Sequence, residues 1–85
     1  MTIRVLVVED ESLIRWSIRQ KFDERGFRVV EAEDGKSALA ALEDGIFDLV
    51  ILDYRLPDMT GLDILRKLKE IETDAVVVMM TAYST

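Results

Sequence analysis

Apolar residues in this chain gather into four short, nearly unbroken runs, and the stretches between them repeat at helical spacing. The first run, Ile3 to Val8 ("IRVLVV"), is β-branched and stops on three acids, Glu9, Asp10 and Glu11. Such a run predicts a buried strand. In "SLIRWSIRQKFDERG", Ile14, Ile18 and Phe22 fall at i, i+4 and i+8, which predicts an amphipathic helix with that stripe inward. Ser12 is its expected N-cap and Gly26 its expected stop. "FRVVEA", from Phe27, predicts the second strand, and Asp34-Gly35 a turn. "KSALAALED" places Ala38, Leu39 and Leu42 on one helical face before Gly45 ends it. "FDLVIL" predicts the third strand. Thr60 with Asp63 has capping-box spacing and starts a third helix with Ile64, Leu65 and Leu68 inward. "AVVVMM", Ala75 to Met80, predicts the fourth strand, followed by "TAYST".

The predicted order is β-α-β-α-β-α-β. The strands are continuous apolar runs rather than alternating ones, as in a parallel sheet covered on both faces. The expected fold is α/β, a three-layer arrangement with right-handed crossovers; if the strand order is 2-1-3-4, as in flavodoxin-like sheets, the first and third strands are neighbours. No repeat, linker or low-complexity stretch interrupts it.

Composition narrows the chemistry. Eighty-five residues allow one small domain. There is no cysteine and no histidine, which excludes disulfides, thiolate zinc sites and an imidazole proton shuttle. Any metal must be a hard, oxygen-bound cation. Seventeen acids against 11 bases give a net charge of −6, so this segment is not expected to contact nucleic acid directly. No signal-peptide pattern and no membrane-length apolar run is present, which predicts a soluble cytoplasmic module.

The acids are the candidate chemistry. In open parallel sheets, ligands bind beyond the carboxyl ends of the strands where the winding reverses. With order 2-1-3-4, that point lies between the first and third strands. Glu9 and Asp10 follow the first strand, and Asp53 follows the third. Three carboxylates brought together there repel one another unless a cation sits among them. Mg²⁺ suits such a set, and a carboxylate can act as nucleophile towards a phosphoryl group. Asp53 stands alone at its strand end and is the better nucleophile; Glu9 and Asp10 are better placed to hold metal. The bland alternative is that each acid is a turn former or helix cap.

"VLVVEDE", "LVILDYRLPDMTGLDIL" and "VVVMMTAYS" together resemble the receiver domain of bacterial response regulators, over nearly the whole chain. "SLIRW" and "MTAYS" resemble receivers of σ54-dependent activators of the nitrogen-regulation type. The resemblance implies that Asp53 accepts a phosphoryl group from a histidine kinase. It implies Mg²⁺ held by Asp10 and Asp53, by Glu9 through water, and by the backbone carbonyl of Arg55. It assigns Thr81 as the hydroxyl that meets the phosphoryl oxygen. The family more often has Asp where Glu9 stands. Its module has five strands and five helices, so residues 1–85 are expected to be the N-terminal part of a receiver domain. No residue is assigned to the family's phosphoryl-pairing lysine or its switch aromatic. The fourth strand is then an unprotected apolar edge, and one sheet face lacks a helix. A homodimer or strand-exchanged oligomer through that strand is expected. An output domain, transcriptional in such activators, is implied outside this segment.

Two rivals stand beside this reading. One is a Mg²⁺-dependent phosphohydrolase with an Asp nucleophile; enzymes of this kind, of the haloacid-dehalogenase type, carry a second Asp two residues on as general acid, and here Arg55 occupies that position. The other rival is an inert structural fragment. Elsewhere, Trp16 falls about 200° from Ile14 at ~100° per residue and is expected at the surface. Met79 and Met80 are expected in packing, Pro57 and Gly61 in loop shaping, and Arg15 and Arg19 in solvent.

Overall fold

The computed structural model describes residues 2–71 and 73–80. The elements run β1 (Arg4–Val8), α1 (Ser12–Asp23), β2 (Arg28–Ala32), α2 (Gly35–Asp44), β3 (Leu49–Asp53), α3 (Gly61–Glu70) and β4 (Val76–Met80). All paired strands are parallel, in the order β2-β1-β3-β4. This is the expected flavodoxin-like α/β arrangement. Among the described residues, no helix is long and apolar enough to cross a membrane.

Each strand feeds both faces, which explains the lack of polar alternation. One face carries Leu6 and Val8 of β1, Ala32 of β2, and Val50 and Leu52 of β3, packed on Ala38 and Leu42 of α2 and Ile64 and Leu68 of α3. Leu6, Leu52 and Ile64 are fully buried, each contributing about 1.5–3 kcal/mol by removal from water. The other face carries Val5, Val7, Val29 and Ile51, with Ile18 and Phe22 of α1 and Phe27 packed against them. Phe22 and Phe27 stack at 5.7 Å between ring centres and clasp the end of α1 to the start of β2. Gly26 between them has φ +80°, a left-handed turn that glycine adopts without strain.

The helix starts are chemically specified. The Asp63 carboxylate accepts from the Thr60 N–H at 3.1 Å in the expected capping box. Asp34 caps α2 by accepting from the Ser37 N–H at 2.8 Å. So Asp34-Gly35 is a helix start rather than a separate turn. The α1 stripe is only partly inward: Ile18 and Phe22 pack, while Ile14 is exposed. Helix α1 packs over β2 and β1. Its N-cap is Glu11 rather than Ser12, without a side-chain cap. On β4, Val77 and Met79 pack towards α2 and α3. Val76 and Val78 point the other way and are 62% and 48% exposed. Trp16 is exposed, as expected.

Candidate functional site

The site is built where β1 and β3 end side by side. Val8 pairs with Leu52, so the next residues, Glu9 and Asp53, leave the sheet together. The Glu9 N–H still donates to the Ala32 carbonyl at 3.0 Å, continuing the ladder to β2. On the other flank, Asp53 pairs with Met80 and the Tyr54 N–H donates to the Met80 carbonyl at 2.9 Å. Both acids are thus fixed by sheet hydrogen bonds rather than by a flexible loop.

Carboxylate oxygens of Glu9, Asp10 and Asp53 all lie within 4.8 Å of one another. Glu9 and Asp53 are buried and Asp10 is exposed at the mouth. Among the described residues, no lysine or arginine forms an ion pair with any of the three. Burial, and then the hydrogen-bonding carboxyl of Asp53 beside it, push the Glu9 carboxyl from its ordinary 4.5 up to about 8. The charges of Asp10 and Glu11 act in the same direction. Two buried carboxyls with a third at their rim, all within 4.8 Å, have the donor chemistry of a divalent hard-cation site.

The loop after β3 aims Asp53. The Arg55 N–H donates to Asp53 Oδ1 at 3.3 Å, and Arg55 forms an antiparallel bridge to Thr60 that closes the loop. A Cβ on Gly61 would stand 2.7 Å from the Asp53 carbonyl oxygen and 3.2 Å from the Tyr54 Cα. Only glycine lets the start of α3 press against the backbone carrying the acid. Pro57 is exposed in this loop. Asp58 reaches across to the start of α2, accepting from the N–H groups of Gly35 at 2.7 Å and Lys36 at 2.9 Å. A carboxylate at a helix N-terminus satisfies orphan donors and complements the dipole.

The structure therefore brings together Glu9, Asp10 and Asp53, with Arg55 beside them through its backbone. Thr81, the expected switch hydroxyl, lies outside the described residues. The expectation that Arg15 is solvated is corrected, while the Arg19 side chain, 42% exposed, stays at the surface. Arg15 is largely buried and donates to the Glu9 carbonyl at 2.7 Å and to Glu31 at 3.1 Å. Arg19 donates to Glu31 at 2.6 Å. The signal was a lone glutamate inside the apolar strand "FRVVEA", which needs a charged partner to be buried even in part.

A parallel α/β sheet with a carboxylate pocket at its switch point is the class that fold and site define. The family profile described as "Response regulator receiver domain" matches residues 5–85. The chain is 35% identical over 83 residues to sporulation initiation phosphotransferase F of Bacillus subtilis, covering 98% of this chain and 67% of that protein. It is 42% identical over 84 residues to the phosphate regulon transcriptional regulatory protein PhoB of Escherichia coli, covering 96% of this chain but 37% of that one. Among solved structures, the response regulator TrrA of Thermotoga maritima, in complex with Mg²⁺-BeF, superposes with a TM-score of 0.89 at 37% identity. That superposition covers 98% of this chain and 72% of TrrA. The chain belongs to the response-regulator receiver family of two-component signalling.

Proposed function

We propose that residues 1–85 are the N-terminal part of a receiver that is phosphorylated on Asp53 by a histidine kinase, in the cytoplasm, with Mg²⁺ as cofactor. The observation that carries this is the meeting of Glu9, Asp10 and Asp53 within 4.8 Å at the β1–β3 switch point. Bound Mg²⁺ supplies positive charge that screens the approach of two anions. Asp10 and Asp53 would hold it, with Glu9 and the backbone carbonyl of Arg55 completing the donor set. The Mg²⁺-BeF complex of the related TrrA supports this cofactor.

The chain's own groups do the rest. An Asp53 carboxylate oxygen attacks the phosphorus of the phosphohistidine and forms a P–O bond. The P–N bond breaks, its electron pair stays on the imidazole nitrogen, and that nitrogen takes a proton from water. The Arg55 N–H, donating to Asp53 Oδ1, orients the carboxylate. The Thr81 hydroxyl is the residue we assign to the phosphoryl oxygen once it is on Asp53. The module is a phosphoacceptor rather than a turnover enzyme, since Arg55 offers no general acid at the second position after Asp53. Its output we infer to be transcriptional, as the similarity to the transcriptional regulatory protein PhoB supports. Self-association through β4 completes the reading, supported by the exposed Val76 and Val78.

Incubation with acetyl phosphate and Mg²⁺, followed by intact-mass measurement, tests the assignment. One added phosphoryl group is expected, absent in Asp53→Asn and absent when Mg²⁺ is chelated. An adduct that persists in Asp53→Asn rejects Asp53 as the acceptor.

A further inference from the structure

Helix α1 reaches the carboxylate pocket through one side chain. Arg15 has a side chain only 15% exposed, and its two guanidinium arms go to different elements. Nη1 donates to the Glu9 backbone carbonyl at 2.7 Å, and Nε donates to Glu31 Oε1 at 3.1 Å. The second oxygen of Glu31 accepts from Arg19 Nη1 at 2.6 Å, and Arg19 Nε reaches Asp23 at 3.3 Å. Glu31 on β2 is thus clamped by two guanidinium groups of α1, and only one of them also touches the pocket.

We propose that Arg15 is a positioning residue for the cation site, locking the peptide plane between Glu9 and Asp10. The Glu9 N–H is held by Ala32, the last sheet bond before the chain leaves towards α1. The Glu9 carbonyl is the first acceptor beyond that ladder, on a buried residue. Left unpaired, a buried carbonyl forfeits the hydrogen bond it made to water. Arg15 satisfies it with a charged donor that Glu31 holds in place. Rotation of the Glu9–Asp10 peptide would swing the carboxylates of these neighbours apart, and the Arg15 hydrogen bond opposes that rotation. Partners that orient metal ligands typically matter 10- to 100-fold in affinity, about the scale expected here. A lysine is a poor substitute because one ammonium lacks the planar fork that meets both acceptors.

This inference rests on the Mg²⁺-assisted phosphoacceptor reading, and one experiment separates the two. Mg²⁺ is titrated calorimetrically into the 85-residue chain and into Asp53→Asn, Arg15→Met, Arg15→Lys and Arg19→Met. Folding is checked by circular dichroism and stability by urea unfolding. Wild type is expected to bind and Asp53→Asn to lose binding. Arg15→Met is expected to bind roughly tenfold more weakly, and Arg15→Lys to be weakened as well. Arg19→Met breaks the same Glu31 clamp without touching Glu9, so it should lose stability yet keep wild-type affinity. Wild-type affinity in a folded Arg15→Met overturns the inference, and Arg15→Lys decides if Arg15→Met does not fold. Equal weakening in Arg19→Met also overturns it, because the effect is then one of general stability. A wild-type chain that takes up no Mg²⁺ removes the phosphoacceptor reading itself.

Discussion

At Gly61 the demand on the sequence is steric. Its φ is not in the left-handed region, so any residue could adopt the backbone; the constraint is the Asp53 carbonyl 2.7 Å from where a Cβ would lie. Gly61→Ala must move either the start of α3 or the backbone that carries the acceptor. Overpacking of this kind costs about 1–3 kcal/mol. Urea unfolding should show that loss, and Mg²⁺ affinity should fall with it because Asp53 is displaced. Glu9 poses the opposite problem, an excess of negative groups in a closed space. Glu9→Gln replaces one of the three carboxyl donors by an amide. Its thermal midpoint should rise less on adding Mg²⁺ than that of wild type, since ligand stabilisation scales with affinity. An equal rise in scanning calorimetry would show that Glu9 does not contribute to the site.

At the scale of elements, the tie between α1 and β2 sets a pH dependence. The Arg19 guanidinium, and then Arg15, hold the Glu31 carboxyl below its ordinary 4.5 despite partial burial. An acid whose folded value is depressed contributes stability above its unfolded value. That stability is lost as pH falls through the folded value. Wild type should therefore lose an extra increment of stability on acidification below about pH 4.5, an increment that Glu31→Gln lacks. Parallel unfolding curves for the two chains across that range would contradict it. The same tie shows what was legible in the sequence. The strands and the Glu9, Asp10 and Asp53 cluster followed from apolar runs that end on acids, features local to each strand tip, whereas the starts of α1 and α2 fell on Glu11 and Asp34 rather than on Ser12 and after a turn. Arg15 and Glu31 are 16 residues apart and meet only because β2 lies beside β1 under α1. Their i,i+4 spacing on α1 made Arg15 and Arg19 look like a solvated pair. Likewise, helical periodicity put Ile14 on one stripe with Ile18 and Phe22, yet those two pack while Ile14 is exposed.

For the whole molecule, the two faces of the sheet are unequally covered. Helices α2 and α3 cover the face bearing Leu6, Val50 and Leu52, while α1 lies over β1 and β2 on the other. The β3–β4 side of that second face carries Val76 and Val78 in contact with solvent. Among the described residues β4 pairs only with β3, so its outer backbone groups face outwards. An apolar edge strand of five residues with an exposed side is a template for strand addition. Two copies related by a two-fold axis can align β4 with β4 antiparallel, each satisfying the other's edge. Sedimentation velocity of the 85-residue chain should show mass increasing with concentration. Val78→Lys places a charge on the uncovered face, far in sequence from Glu9 and Asp53, and should return the chain to monomer. Because the carboxylate pocket is held by β1, β3 and the loop before α3, that variant should keep its Mg²⁺ affinity. A wild-type chain that stays monomeric at every concentration would show that the exposed valines and open edge are too small to drive association.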